Sequence, residues 1–360
     1  MRALYLSASL GGGHRAAAEA VHEALGGERF FRDYLRYVPA VERWPIVASY
    51  WFSLKYWPAF YRWYYHWSNK HPEPPVIARQ FGRAGLGALA RDLAHLRPDA
   101  VVSTYPLAAA LADGARRELA FGFQNYLIMT DFQAHRHWAR PEADRIFVPT
   151  EEAYDQLIAF GVPEDRLAAT GLPVRRVFLE LKAREALKAE LGLDERPLVL
   201  LNTGAANAYR GRNRVIEALK ALDQPLYAVV FSPTEDEANL QEGAVELLIR
   251  PVGTAFARYL GAADLVLGKA GGMTLAEALV VGRALLIFEP IPGHEEENAA
   301  WIEEKGAGLW AKSAHELLPA LHRLLADDAY RKEVEARART LGRPAAAQQI
   351  AAIIRKEAKA

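Results

Sequence analysis

The sequence predicts an α/β protein made of two doubly wound domains in tandem, and three observations carry that expectation. Short apolar runs alternate with helical segments along nearly all of the 360 residues, the pattern of a parallel sheet covered by helices on both faces. The runs form two series: 2–8, 99–104, 124–130, 145–149 and 166–170, then 197–203, 225–231, 245–250, 264–267 and 284–287. The stretch TGLPVRRVF, around Gly171 to Phe178, separates them, and the chain has room for two domains of ordinary size. The expected domains are 1–170 and 171–343. The alanine-rich last helix, Pro344 to Ala360, is free to pack back across either domain and is grouped with the first. Ligands of such sheets sit outside the carboxyl ends of the strands, so a ligand is expected in a cleft where the two domains face each other.

Composition narrows the function. Lys+Arg and Asp+Glu balance at 44 each, which argues against a dedicated nucleic-acid binder. The lack of cysteine removes disulfide frameworks, thiolate zinc sites and cysteine nucleophiles, and is compatible with a reducing cytoplasm. No uncharged apolar stretch reaches the roughly 18 residues of a spanning helix. The start, MRALYLSASL, is cut off by three glycines and His-Arg, so it reads as a first β-strand rather than a signal peptide.

Two glycine-rich turns stand between strand and helix. The first, SASLGGGHRAAAEA (Ser7 to Ala20), leaves backbone amides at a helix N-terminus and ends in His14. Its spacing is not the dinucleotide G-x-G-x-x-G, although Asp33 lies near where a ribose-holding carboxylate would be wanted. A plain connecting turn is the other reading. The second, LVLGKAGGMTLAEALVVG, runs from a strand through Lys269, Gly271 and Gly272 to a helix expected near Thr274. Amides and macrodipole at that helix start make a metal-free diphosphate site, with Lys269 adding charge. Glu277 has two readings, the back-reaching half of a capping box or a carboxylate accepting from ribose hydroxyls. The sequence has no D-x-D pair.

The loop EPIPGHEEENAAW (Glu289 to Trp301) brings His294 and three carboxylates to a helix start. They either favour the dipole or accept from the hydroxyls of a sugar. Asp131 ends the strand NYLIMTD, and with His135 and His137 forms D-x-x-x-H-x-H; triads of that spacing arise readily by chance, so no metal is expected.

Together these motifs, with TDFQAHRHW and ATGLPVRRVF, resemble the monogalactosyldiacylglycerol synthase and processive diacylglycerol glucosyltransferase group of glycosyltransferase family 28, with MurG-type enzymes as more distant relatives. They run from residue 7 to residue 308 in the family's order. The resemblance implies a GT-B fold, two facing Rossmann-like domains, and inverting transfer of a hexose from a UDP-sugar to a lipid hydroxyl. It implies that Gly271, Gly272 and Thr274 face the diphosphate, Glu277 the ribose, and His294, Glu295 and Asn298 the hexose or its surroundings. Gly204, Val252, Lys269 and Met273 complete the expected donor set. The GGGH turn, with Gly12 and Gly13, falls on the acceptor side with His135 and Trp138, and His14 becomes the general base, with Asp131 as competitor or helper. Inversion by direct displacement asks for one base near pKa 7 opposite the leaving group, a task suited to histidine. Two departures stand out: the loop NTGAANAYRGRNRVIEAL is poorer in glycine than the family's, and His294 replaces a common glutamine. The role of loop 204–213 and the identity of the hexose stay open.

From Arg29 to Arg97 there are eleven Lys/Arg against four Asp/Glu, and five of the eight tryptophans fall between Trp44 and Trp67. Apolar residues from Ile46 to Tyr64 recur at helical spacing, with Pro58 breaking or kinking the run, and a second stretch takes in Ile77, Phe81, Leu89, Leu93 and Leu96. Core packing is one reading. The rings go almost around the helix, however, so docking at a membrane interface through Trp51, Trp57, Trp63 and Trp67 is the expectation. Each ring contributes on the order of 1–2 kcal/mol, and each cation near an anionic leaflet about 1 kcal/mol.

The expected protein is a cytoplasmic glycolipid synthase, peripheral on the inner face of the cell membrane, with no metal or other cofactor. Its expected partners are a UDP-hexose, a lipid acceptor such as diacylglycerol and an anionic membrane surface, with no nucleic acid. The alternatives are UDP-GlcNAc transfer to an undecaprenyl-linked sugar, a soluble UDP-sugar 2-epimerase of GT-B fold, or a non-catalytic UDP-sugar-binding scaffold. Hexose, acceptor, processivity and oligomeric state are not fixed by the sequence.

Overall fold

The computed structural model describes residues 1–9, 11–71, 85–203, 209–232, 235–253 and 255–358. The chain divides into two compact units. The first is Met1–Arg175 with Pro292–His294 and Ala345–Ala360; the second is Arg176–Ile291 with Glu295–Pro344.

The first unit contains β1 (Arg2–Ser7), α1 (Gly12–Leu25), β2 (Glu28–Asp33), α2 (Ala40–Tyr56), α3 (Pro58–Lys70), α4 (Leu86–Leu96), β3 (Ala100–Ser103), α5 (Pro106–Arg116), β4 (Gln124–Ile128), β5 (Arg145–Val148), α6 (Glu151–Ala159) and β6 (Leu167–Ala169). Its strands form a parallel sheet in the order β2-β1-β3-β4-β5-β6. Strand side chains alternate between faces, so a strand buried on both sides must be apolar throughout. In β1, Leu4 and Leu6 join Leu89 and Leu93 of α4 in one core, while Ala3 and Tyr5 join Ala18 and Val21 of α1 in the other. The second core also takes Ile350 and Ile354 from the terminal helix Ala346–Glu357. Arg355 fastens that helix by donating to the carbonyls of Ala24 and Leu25 at 2.7 and 2.8 Å. Ile350→Ala is therefore expected to cost about 2–5 kcal/mol, read as a lowered denaturant midpoint; an unchanged midpoint would show that the terminal helix is dispensable.

β2 falls outside the expected strands. Its sequence, ERFFRD, has only two apolar residues, but Phe30 packs on one core and Phe31 on the other, which suffices at a sheet edge. Strand order reverses between β1 and β3, so their carboxyl ends flank the topological switch point of this sheet. The turns that leave it carry His14 and Tyr105. The aromatic run breaks at Trp57, with Pro58 as the first residue of α3, as its missing N–H and fixed φ require.

The second unit contains α7 (Arg184–Glu190), β7 (Leu198–Asn202), α8 (Arg212–Lys220), β8 (Leu226–Ser232), β9 (Ala238–Glu242), β10 (Val245–Pro251), α9 (Phe256–Ala262), β11 (Leu265–Gly268), α10 (Gly272–Val281), β12 (Ala284–Phe288), α11 (His294–Glu304), β13 (Gly308–Ala311), α12 (Ala314–Ala326) and α13 (Asp328–Leu341). The sheet order is β13-β12-β11-β7-β8-β10-β9, parallel except for β9, which pairs antiparallel with β10 at the edge. Its switch point lies between β7 and β11. Gly268 makes the close approach there possible: at φ 147°, a Cβ would stand 2.4 Å from the Asn202 carbonyl oxygen. At the amino end of β11, Asp264 takes the Lys188 ammonium at 2.7 Å and the Leu198 amide at 2.9 Å, a structural tie between α7 and the sheet.

Candidate active site

In the first unit the site grows from the turn after β1. α1 begins at Gly12, with Gly11 as an N-cap that offers no side-chain bond, so His14 is the third helical residue. The His14 ring is half-buried and lies edge-on to Tyr105, with centroids 5.6 Å apart; its Nδ1 is 3.5 Å from Thr130 Oγ1. Burial lowers its pKa, the charge of Asp131 and a hydrogen bond with the Thr104 backbone work upward, and His294 adds a smaller downward push. The outcome is an imidazole neutral at pH 7 in the field of a carboxylate, the condition a general base needs.

Asp131 is held in turn. Its Oδ2 accepts from Trp138 Nε1 at 3.3 Å, and Trp138 is 1% exposed in a core with Met129 and Ile146. Trp138, expected on the acceptor and membrane side, is thus no membrane-facing ring: the turn Arg136–Trp138 folds its indole inward. His135 also needs correction. Its Nδ1 accepts the His137 amide at 3.1 Å, which leaves the proton on Nε2, and Nε2 donates to the Tyr65 carbonyl at 3.0 Å with Ser68 Oγ at 3.2 Å. Nε2 thus seats α3 while Nδ1 closes the turn at His137, so both nitrogens are engaged within the fold rather than turned toward an acceptor. Arg136 strengthens the seat through its amide and Nε, to Asn69 Oδ1 at 2.8 Å and Asn69 carbonyl at 3.0 Å.

The His137 ring lies tilted against that of His135, centroids 4.3 Å apart, and burial first, then the charges of His135 and Arg140, hold it well below the usual histidine range. Among the described residues no group of three His, Asp or Glu is arranged to hold a metal ion. The sequence reading missed Tyr105 and Arg140. Tyr105 was findable: it follows a switch-point strand and precedes Pro106, the first residue of α5. Burial raises the Tyr105 pKa and lowers that of Arg140, whose Nε donates to the His137 carbonyl at 2.8 Å.

The segment Pro292–His294 clusters with this unit. Gly293 has φ +84°, and a Cβ on it would stand 2.6 Å from the Tyr65 ring, so only glycine admits the approach. His294, expected beside a hexose, lies 6.3 Å from that ring and acts electrostatically on the histidine group.

In the second unit the turn after β11 carries the other cluster. α10 starts at Gly272 with Gly271 as N-cap and no side-chain cap bond. Thr274 is therefore its third residue rather than its start, and Glu277 its sixth, which removes the capping-box reading. Glu277 and Met273 are buried and Thr274 is half-buried. Lys269 and Glu295, expected to face different parts of a sugar nucleotide, contact each other, Nζ to Oε1, at 2.5 Å. A Cβ on Gly271 would lie 3.4 Å from Lys269 Nζ and 3.5 Å from Glu295 Oε1, so this pair sits directly over the amino end of α10. Glu295 is 2% exposed, and its Oε2 accepts the Ile291 amide at 2.9 Å. Asn298, buried one turn later, donates to the Ala270 carbonyl at 3.0 Å. Glu296 and Glu297 share the first turn of α11, where they favour its dipole. Val252 follows the body of β10 and is exposed. Gly204 lies outside the described residues.

The aromatic helices expose many of their rings. Trp44, Phe52, Tyr56, Trp57, Phe60, Trp63, Tyr64 and Trp67 are exposed, Trp51 is half-buried, and Tyr65 is buried. Trp57 stacks on Phe60 at 4.9 Å and Trp63 on Trp67 at 6.1 Å. In the second stretch Leu89, Leu93 and Leu96 are core, whereas Ile77 and Phe81 lie outside the described residues. Among the described residues no helix is long and apolar enough to cross a membrane.

Residues 14–174 match the family model of monogalactosyldiacylglycerol (MGDG) synthase, and residues 130–355 that of UDP-N-acetylglucosamine 2-epimerase. A processive diacylglycerol beta-glucosyltransferase of Bacillus cytotoxicus is 26% identical over 99% of this chain and 94% of its own. Among solved structures, MurG of Acinetobacter baumannii aligns with a TM-score of 0.63 at 18% identity over 99% of both chains. The UDP-GlcNAc 2-epimerase of Neisseria meningitidis, bound to UDP-GlcNAc, aligns at 0.60 and 14% over 99% of this chain and 100% of that one. At those identities the structures show the fold, GT-B. Residues 14–174 carry the monogalactosyldiacylglycerol synthase domain that links the chain to the diacylglycerol glucosyltransferases of glycosyltransferase family 28, and over residues 130–355 the chain belongs to the UDP-N-acetylglucosamine 2-epimerase family.

Proposed function

We propose that this protein is an inverting, metal-independent hexosyltransferase that moves a hexose from a UDP-sugar to diacylglycerol or a related membrane lipid. The observation that carries the reading is the half-buried His14, its pKa lowered by burial against the charge of Asp131, in a chain whose relative across 99% of its length is a diacylglycerol glucosyltransferase. In the proposed step the lipid hydroxyl attacks C1 of the hexose from the face opposite UDP. Its proton passes to His14, the bond from C1 to the diphosphate oxygen breaks, and UDP leaves with the electron pair. Asp131, aligned by Trp138, stabilises the imidazolium as it forms.

In the second unit, the amides of Gly271, Gly272 and Thr274, the dipole of α10 and the Lys269 ammonium are suited to the charge on UDP, which supports a reaction without metal. Glu277 is the proposed ribose acceptor, with Val252 and Met273 beside the nucleotide and Glu295 and Asn298 toward the hexose. Gly12 and Gly13 leave room for the acceptor. The exposed rings support peripheral docking on an anionic, cytoplasmic membrane face.

The test incubates the protein with diacylglycerol-containing vesicles and a panel of UDP-sugars and identifies any glycolipid by mass. The match of residues 130–355 favours one rival, a UDP-sugar 2-epimerase. That rival gives a water-soluble epimer or free sugar without vesicles and no lipid product.

A further inference from the structure

The ion pair between half-buried Lys269 and buried Glu295 lies over the amino end of α10. We infer that Glu295 is an internal counter-ion which the diphosphate of the donor displaces from Lys269, so that the site accepts a UDP-sugar more readily than bare UDP. The inference rests on the donor-site reading above.

Three observations carry it. Lys269 Nζ, the cation adjoining the amino end of α10, is already occupied by Glu295 Oε1. That carboxylate oxygen stands 3.5 Å from where a Cβ on Gly271 would be, close to the helix start that suits an anion. Finally, Glu295 is 2% exposed and stays tethered by Oε2 to the Ile291 amide at 2.9 Å, so a released Oε1 does not escape into water.

Partner exchange follows. When a phosphate oxygen takes Lys269, Glu295 Oε1 is left as a buried carboxylate oxygen lacking its cation, which is costly unless a donor replaces it. Bare UDP brings no such donor. A UDP-hexose does where, as the donor-site reading has it, its hydroxyls meet Glu295 at the first turn of α11. The pair thereby sets a preference for intact donor over the product nucleotide, and it favours UDP release once the sugar has gone.

The test is calorimetric titration of the full chain with UDP and with UDP-glucose. Glu295→Gln keeps the shape and can still accept the Ile291 amide, but it no longer neutralises Lys269. It is expected to bind UDP about tenfold more tightly than wild type and to lose most of the preference for UDP-glucose over UDP. Lys269→Met is the second variant: it should weaken UDP binding, and by more in the Glu295→Gln background than in wild type. Unchanged or weaker UDP binding by Glu295→Gln, or equal effects of Lys269→Met in both backgrounds, overturns the counter-ion role while leaving the donor site standing. If wild type binds neither nucleotide, the donor-site reading falls and takes this one with it.

Discussion

His14→Ala is expected to lower the rate of glycolipid formation by about 10²–10⁴-fold while leaving UDP affinity and thermal unfolding near wild type. The half-buried imidazole sits at the exposed end of α1, so its removal leaves no large cavity. The proposed nucleotide contacts belong to the second unit, so binding is a separate readout. Near-normal turnover in this variant would remove His14 as the base. The pH profile adds a sign. Because burial depresses the His14 pKa below its ordinary 6.5, the neutral, active form persists into mildly acidic solution, and activity falls only as pH drops through that lowered value. Asp131 pushes the other way, favouring the imidazolium. Asp131→Asn should therefore move the acid limb to still lower pH even as the plateau rate drops, a combination that simple unfolding would not give.

Folding stability carries the same sign. His135 and His137 are also held below 6.5, with burial the largest cause in each. Their unfolded forms take up protons first as pH falls, so stability is full above the unfolded value and is lost between it and the depressed folded values. Activity measured alongside unfolding at each pH separates the two effects.

Much of the fold was legible because parallel strands buried on both faces leave continuous apolar runs. LYL in β1, VLL in β7 and ALLIF in β12 can hardly be anything else. The edge strand β6 fell in an expected run, but the other three edges, β2, β9 and β13, were not legible for the converse reason. β9, ANLQE, buries almost nothing, and β13, GLWA, is four residues long, so pairing to a neighbour rather than hydrophobic pattern makes them strands. The site divides similarly. His14, Asp131, Lys269 and Glu277 stand out because each lies in or just beyond a turn that follows a strand. What each side chain touches could not be read. That Glu295 spends its charge on Lys269, that Trp138 turns inward to hold Asp131 and that His135 serves α3 all depend on packing between segments distant in sequence. The capping-box reading of Glu277 failed because the N-cap of α10 is Gly271, which makes no side-chain cap bond, rather than Thr274 three residues on.

Replacing Trp57, Trp63 and Trp67 together by serine is expected to abolish co-sedimentation with anionic vesicles. The three rings are exposed on α3 and the turn before it, so serine costs the folded unit little. At about 1–2 kcal/mol per ring entering the interface, their loss lowers membrane partitioning by about 10²–10⁴-fold. Lys55 and Lys70, exposed near the ends of α2 and α3, remain, so any residual attachment should vanish as salt rises past the range where the Debye length is about 10 Å. UDP binding should be unaffected. Turnover should fall with vesicle-borne acceptor and recover with a short-chain acceptor dissolved in water, because the defect is in delivery rather than in proton transfer at His14. Should the triple variant sediment like wild type, the rings on α3 are not what meets lipid. The seat that Tyr65, Ser68 and Asn69 provide for residues 135 and 136 would then be the remaining reason for the helix.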